Sequence, residues 1–241
     1  MKQPGGQRAH REQQQADRKR QVRDLLVVIL TITTGVADAV CFLHLGHVFG
    51  SVITGNLVLI GVSAGLRVAT LAEHAGVALA GYAAGVLAGA PIARERDRSP
   101  GGQPDWPPRV TACLAAELVL LLGFSAGWWA AGARPQGAAQ LVLLGLAGAA
   151  MGMQSAAVRR LGQLSTTYLT STLTGVLAAL ALRETPEGLG RSLAILAAIV
   201  AGALAGAATA AAAPDAVPVL LLVPNAVVLT CAWRLRPMFR P

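Results

Sequence analysis

An acidic residue inside a long apolar run is the first feature of this sequence that could do chemistry. Asp38 lies in "GVADAVCFLHLGH" (35–47), between stretches of Val, Ile, Leu and Ala. A carboxylate at membrane depth is costly unless it faces a polar interior, so Asp38 marks a candidate functional site. Gly35, Asp38 and Phe42 would share one face of a helix. A structural role, in which Asp38 caps the start of a neighbouring short helix, is the alternative.

The second feature is the triplet Thr54-Gly55-Asn56 in "FGSVITGNLVLIG" (49–61). All three residues are poor helix formers, and Thr and Asn can bond the backbone groups that a break sets free. Irregular backbone at membrane depth survives only when it is buried in protein or lines a wet cavity. A half-helix that begins near Asn56 would point its N-terminus at a polar or anionic solute. A close helix–helix contact at Gly55 is the alternative.

Composition indicates a membrane protein. The chain has 241 residues, of which 54% are hydrophobic and only 13% charged, and soluble proteins need a more polar surface. The net charge of +8 does not predict nucleic-acid binding, because the charges lie in the N-terminal tail, short loops and the C-terminus, as juxtamembrane charges do. The expected partners are therefore the lipid bilayer and a small solute, with no nucleic acid.

Signatures of catalysis and of cofactor binding are missing from the sequence. Cys41, Cys113 and Cys231 fall in separate apolar segments, so neither a disulfide framework nor a zinc site is predicted. The sequence contains no HExxH and no phosphate-binding loop. We expect no catalytic residue, no metal, no cofactor and no enzyme activity.

Hydropathy divides the chain into eight apolar segments, which cover about 25–45, 49–66, 70–93, 110–133, 138–158, 164–182, 190–213 and 216–234. Six are long enough to cross a membrane, whereas 49–66 and 164–182 are shorter or more polar. If those two enter and leave on one side, the arginines of 93–109 and of 159–160 join the N-terminal tail inside the cell. The sequence therefore predicts six spans in the inner membrane, with both termini cytoplasmic.

Residues 1–24 are rich in Gln and Arg and predict a disordered basic cytoplasmic tail. A signal peptide is the alternative, because the sequence Ala37-Asp38-Ala39 mimics a cleavage site. The long hydrophilic lead-in and the apolar run that continues beyond it favour an uncleaved first span.

A weak internal repeat relates the two halves of the chain. A shift of 116 residues lays Asp38 on Gln154, Thr54 on Thr170 and Asn56 on Thr172. Segment lengths repeat in the same order, so the halves are 25–133 and 138–234, each with three spans and one re-entrant or broken segment. Because three is odd, the second half would be inverted, as in many transporters. An old gene duplication without a surviving pore is the alternative.

The sequence resembles the YoaK family of bacterial integral membrane proteins, also called the DUF1275 domain, over about 25–235. The matching positions are Gly35, Asp38, Phe42, Gly46, Phe49 and Thr54-Gly55-Asn56-Leu57 in the first half, and Gly152, Gln154, Arg159, Arg160, Gly162, Thr167 and Thr170 in the second. Ser171 departs from the pattern, which often has glycine there. The resemblance implies a polytopic inner-membrane protein and supplies no substrate.

These features together predict an all-α polytopic membrane protein, built from two inverted three-helix repeats, that transports or conducts a small polar or ionic solute. The expected substrate-binding residues, where 49–66 and 164–182 would meet at the centre of the bundle, are Asp38, Thr54, Gly55, Asn56, Gln154, Thr170 and Thr172. Asp38 could couple flux to protons. A non-transporting membrane scaffold or partner subunit is the alternative, and the sequence specifies neither the substrate nor the oligomeric state.

Overall fold

Helices make up nearly all of the protein. The computed structural model describes residues 4–94, 106–161, 169–183 and 188–239. Short 3-10 turns cover Arg159–Leu161 and Pro214–Ala216. The helices are α1 (Pro4–His44), α2 (Ile53–Leu66), α3 (Ala69–Ala93), α4 (Pro108–Ala130), α5 (Ala138–Val158), α6 (Leu169–Leu182), α7 (Leu189–Ala212), α8 (Val217–Arg234) and α9 (Arg236–Phe239). Within these residues there is no strand, so the all-α prediction is confirmed.

Six helices are long and apolar enough to cross a membrane: α1, α3, α4, α5, α7 and α8. The two remaining apolar helices, α2 and α6, have 14 residues each. Such a helix is about 21 Å long, which is short of the roughly 30 Å of a hydrocarbon core. The prediction of six long spans and two short apolar segments is confirmed. The predicted break lies just before the triplet: α1 ends at His44, α2 begins at Ile53, and Thr54, Gly55 and Asn56 lie in the first turn of α2.

The N-terminal tail differs from the prediction of disorder. Helix α1 begins at Pro4 and continues without interruption into the first span, to His44. The reason lies in its composition, since Gln, Arg, Ala, Glu and Lys are among the better helix formers and make up 14 of the 21 residues from 4 to 24. Low hydrophobicity therefore predicted the absence of a core correctly but did not predict the local conformation.

Two seams of small residues hold the long helices together, α3 against α5 and α1 against α7. In the first seam, a Cβ on Gly85 would overlap the carbonyl oxygen of Ala149, and one on Gly152 would overlap that of Tyr82. In the second seam, Gly202 meets the carbonyl oxygen of Ile32 in the same way, and Gly35 meets that of Ile199. Only glycine permits these backbones to approach so closely.

The closest contacts in the two seams involve equivalent residues. Gly85 and Gly202, Ala149 and Ile32, Gly152 and Gly35, and Tyr82 and Ile199 are each 117 residues apart. Gly89 and Gly206 extend the correspondence, since they meet the Cα atoms of Met153 and Val36, respectively. The long helices of the two halves therefore pack in the same register.

A single shift of 116 residues is consequently wrong for the long helices, where the packing gives 117. It does fit the ends of the short helices, since Arg67 and Arg183 both have left-handed backbone, with φ near 58° and 56°. Asp38 then corresponds to Ser155 rather than to Gln154. Length differences of one residue in the connecting loops are invisible to a comparison that uses one fixed shift.

The arginine-rich ends of the helices lie on one face of the protein. One buried cluster joins the entry of α1, the end of α3, the start of α4 and the ends of α5 and α8, through Leu26, Ala93, Trp106, Val110, Val158, Leu161 and Ala232. On the same face, Arg191 at the start of α7 lies 3.5 Å from Asp24 of α1. This grouping is what the six-span prediction requires of the charged loops.

Helix α2 belongs to a segment that leaves and returns to the opposite face. There, Gln140 Nε2 at the start of α5 donates to the carbonyl oxygen of His44 at the end of α1 (2.7 Å). His74 Nε2 of α3 lies 3.3 Å from Gln140 Oε1. Because α1 ends and α3 begins at this face, the intervening residues 45–68 form a re-entrant element.

The two short helices do not form the central contact that the sequence predicted. In the described parts of the chain, α2 packs mainly against α3 and α6 mainly against α7, without an extensive contact between them. The glycine seams pack α3 against α5 and α7 against α1, and α1 and α5 are the most buried of the long helices. Helices α2 and α6 therefore lie against the outer helices α3 and α7.

Candidate functional site

Asp38 is buried, with 8% of its surface exposed, and both carboxylate oxygens accept hydrogen bonds. The backbone N–H of Ser51 donates to Oδ1 (2.7 Å), and the Ser51 hydroxyl donates to Oδ2 (2.6 Å). Ser51 lies two residues before α2, so the carboxylate ties the extended loop to α1. Asp38 thus compensates its burial with short, charge-assisted bonds.

Asn56 forms the second half of this connection. It is fully buried, its Oδ1 accepts the backbone N–H of Phe49 (2.9 Å), and its Nδ2 donates to the carbonyl oxygen of Phe49 (2.6 Å). An amide side chain can satisfy a donor and an acceptor of one residue at once. Asn56 therefore holds the irregular backbone that precedes α2.

We call Asp38, Ser51, Phe49 and Asn56, together with their contacts, the clasp. Aromatic rings and glycines pack around these residues. The rings of Phe42 and Phe49 stack with their centroids 5.5 Å apart. A Cβ on Gly55 would lie 3.3 Å from the Phe49 ring, and one on Gly46, which has φ of +100°, would overlap His74. Each of these residues thus has a packing reason for its identity.

Gln154 lies away from the clasp, between α5 and α1. Its Nε2 donates to the carbonyl oxygen of Leu30 (2.9 Å), and its Oε1 lies 3.4 Å from the hydroxyl oxygen of Thr34. Leu30 and Thr34 precede Asp38 by two turns and one turn of α1. Gln154 therefore joins the two halves of the chain, and in the described structure its side chain bonds to Leu30 and Thr34 rather than to the clasp.

The three threonines and the glycine of the predicted site have a different environment. Thr54 and Thr170 are exposed, Gly55 and Thr172 are partly buried, and Thr170 accepts a hydrogen bond only through its carbonyl oxygen, from Thr174 (2.9 Å). With α2 and α6 on different neighbours, Thr170 and Thr172 are not brought to Asp38. Gly162 and Thr167 lie outside the described residues.

A second buried acid has no such partners. Glu117 of α4 and Asn225 of α8 are both fully buried. Neither oxygen of the Glu117 carboxyl group and neither polar atom of the Asn225 amide makes a hydrogen bond within the described structure. The amide is a near neighbour of the carboxyl group, and the contact is a weak polar interaction that falls short of hydrogen-bond distance and angle. This pair of facing but unbonded polar groups, the Glu117–Asn225 pair, is the least satisfied polar site among the described residues.

The hydrogen-bonding pattern of α8 is interrupted next to the pair. Pro224, directly before Asn225, lies inside α8 and has no N–H, so the Leu220 carbonyl has no partner four residues on. Helices α4 and α8 pack against each other and are the last spans of their halves. Sequence reasoning had no means to pair Glu117 with a partner. The signal for its partner is the Pro-Asn step in the apolar run "VPVLLLVPNAVV".

Comparison with known proteins gives a family and no activity. Residues 26–233 match the family described as "Protein of unknown function (DUF1275)". The chain belongs to this family. A relative, the UPF0700 transmembrane protein YoaK of Bacillus subtilis (strain 168), is 31% identical over 157 residues. This match covers 64% of the chain and 66% of the relative. No solved structure matches the chain.

Membership in the DUF1275 family supports a multi-pass membrane protein. The relative is itself called a transmembrane protein, and six helices of this chain are long and apolar enough to span a bilayer. Neither the family description nor the relative's name assigns a solute or reaction, so function must be argued from the buried polar groups.

Proposed function

We propose that the protein transports or conducts a small polar or ionic solute across the membrane. The observation that carries this proposal is the Glu117–Asn225 pair, which is buried at membrane depth without hydrogen bonds. An unsatisfied carboxyl group and amide cost free energy that a purely structural site would avoid. Such groups in a membrane interior are typical of a pathway that receives a solute or ion.

The equivalence of the two glycine seams supports the same proposal. Transporters built from two related halves bind their solutes where the halves meet, near the middle of the bilayer, at interrupted helices. Here the two final spans, α4 and α8, meet at the pair, and Pro224 interrupts α8 beside it. We also propose that the second half is inverted relative to the first, as three spans per half require.

A non-transporting scaffold or partner subunit is a second candidate, and Asp38 favours it. Both Asp38 oxygens are paired with Ser51, and a fully bonded acid is what a helix-pinning role requires. If every polar group in the spans resembled Asp38, the scaffold would be the better proposal. The Glu117–Asn225 pair distinguishes the two functions because it pins nothing.

Solute flux decides between these functions. Purified protein in liposomes is tested with labelled inorganic ions, amino acids and sugars as separate probes, and Glu117→Gln serves as the matched variant. A transporter gives flux of one probe class above that of protein-free liposomes, and the variant reduces it. If every probe class stays at the protein-free level, the scaffold is supported instead.

Orientation is a separate proposal: the protein lies in the inner membrane with both termini cytoplasmic. The concentration of arginine-rich ends on one face supports it, because positive loops remain in the cytoplasm. In a cysteine-free background, Pro100→Cys should resist an impermeant thiol reagent applied from outside, whereas Gln136→Cys should react. Reaction of Pro100→Cys alone would reverse the orientation. We propose no enzyme activity.

A further inference from the structure

We propose that Glu117 carries an exchangeable proton and that Asn225 accepts its hydrogen bond when the site closes, which makes this pair the proton site of the protein. The inference rests on the proposed transport function and names its ion. It assigns the role to a different acid from Asp38, for which the sequence suggested it.

The first argument is the balance of donors and acceptors. An ionised carboxylate at this position would be a buried charge with only the neutral Asn225 amide beside it, and proteins avoid a buried charge that no opposite charge compensates. Addition of one proton converts the acid into a neutral group with one O–H donor, and the Asn225 amide oxygen is an acceptor without a partner. A single proton therefore satisfies two of the orphaned atoms, with no other change.

A metal ion fits the pair less well. Hard cations take about six or more oxygen ligands in proteins, whereas the pair offers two carboxyl oxygens and one amide oxygen. In the part of the chain that the structure describes, there is no group of three or more His, Cys, Asp or Glu residues that could hold a metal ion. Proton binding requires only one donor and one acceptor, which are present.

Other ionisable groups do not replace Glu117 at this place. Helix α4 packs against α3, α5 and α8. Helix α5 has no titratable side chain; the others carry Arg109 and Cys113 on α4, Cys231 and Arg234 on α8, and Glu73, His74 and Tyr82 on α3. Among the described residues, Cys113, one turn before Glu117, interacts with it, and its Sγ already contacts the carbonyl oxygens of Gly89 and Met153.

A bend in α8 would allow proton release. Because Pro224 leaves the Leu220 carbonyl without its helical partner, α8 can bend at this point at lower cost than an unbroken helix. Bending would move Asn225 relative to Glu117 and open the carboxyl group to water or solute. The O–H bond of the Glu117 carboxylic acid then breaks, its proton passes to a water molecule, and the carboxylate that remains is hydrated.

Infrared spectroscopy of the purified full-length protein in liposomes tests the proposal. The spectrum at neutral pH should contain the carbonyl stretch of a protonated carboxylic acid, which Glu117→Gln removes. Transfer to D2O should shift this band, because the proton exchanges. Glu73→Gln, the same substitution at an exposed glutamate, should leave the band unchanged. Asn225→Leu, which removes the acceptor, should move the band towards the frequency of a free acid.

Three results would overturn the inference. They are identical spectra of the wild type and Glu117→Gln, a band that does not shift in D2O, or a spectral change at Glu117 produced by sodium or potassium at constant pH. If Glu117→Gln does not fold, the inference is tested by the band position in Asn225→Leu, and a band at the wild-type position would overturn it. A shifted, exchangeable band without any solute flux would keep the proton site and reject transport, so the two failures can be distinguished.

Discussion

Asp38 and Glu117 are both acids buried in apolar spans, but only one of them is bonded. Asp38 accepts two bonds from Ser51 and fixes the re-entrant loop to α1. Glu117 faces the Asn225 amide with no hydrogen bond on either side in the described structure. An acid whose bonding capacity is used by the fold is needed to hold structure, whereas one whose capacity is unused is free to bind. Burial alone does not separate these roles; the partners do.

The comparison predicts the largest loss of stability for Asp38→Leu. Leucine leaves the Ser51 N–H and hydroxyl without an acceptor, so the free energy of unfolding should fall by about 2–4 kcal/mol. Asp38→Asn keeps one acceptor and should lose about 1 kcal/mol. Chemical unfolding in detergent measures both. Equal stability of Asp38→Leu and the wild type would remove Asp38 from the clasp.

Asn56→Ala should cost somewhat less, because the orphaned groups belong to a single residue. The N–H and the carbonyl oxygen of Phe49 both lose their partner, for an expected loss of about 2 kcal/mol. Thr54→Ala is the matched control in the same helical turn, since Thr54 is exposed, and should change stability by less than about 0.5 kcal/mol. Similar losses in the two variants would contradict the assignment of the clasp to Asn56.

The same residues show which features could be predicted from the sequence and which could not. Apolar lengths and arginine positions predicted six spans, and Thr54-Gly55-Asn56 correctly marked an unusual segment. The triplet could not show that the Asn56 side chain bonds Phe49, because the loop geometry sets that pairing. Gly35 and Gly152 lie 117 residues apart in equivalent packing positions, yet a comparison at one fixed shift missed them.

The Glu117–Asn225 pair was beyond reach for a related reason. Its two members lie on different helices, 108 residues apart, and the distance between them depends on how α4 crosses α8. Neither residue is unusual enough in sequence to identify the other. The helical tail was missed differently, because a low-hydrophobicity segment of good helix formers can extend a stable helix without a core of its own.

The smallest effect on stability is expected for Glu117→Gln. Glutamine has nearly the size of a protonated glutamic acid, is neutral and loses no hydrogen bond. The free energy of unfolding should therefore change by less than about 1 kcal/mol. Chemical unfolding in detergent measures this change in free energy. A loss as large as that of Asp38→Leu would show that Glu117 holds structure, and the two acids would no longer differ in role.

Charge movement after a pH jump tests the distinction between the two acids most directly. Protein-containing liposomes on a solid-supported membrane are switched between two pH values without solute, and the transient current reports protons that enter the protein. The wild type and Asp38→Asn should both give a transient, whereas Glu117→Gln should give no more current than protein-free liposomes. A transient that persists in folded Glu117→Gln and disappears in Asp38→Asn would contradict the account.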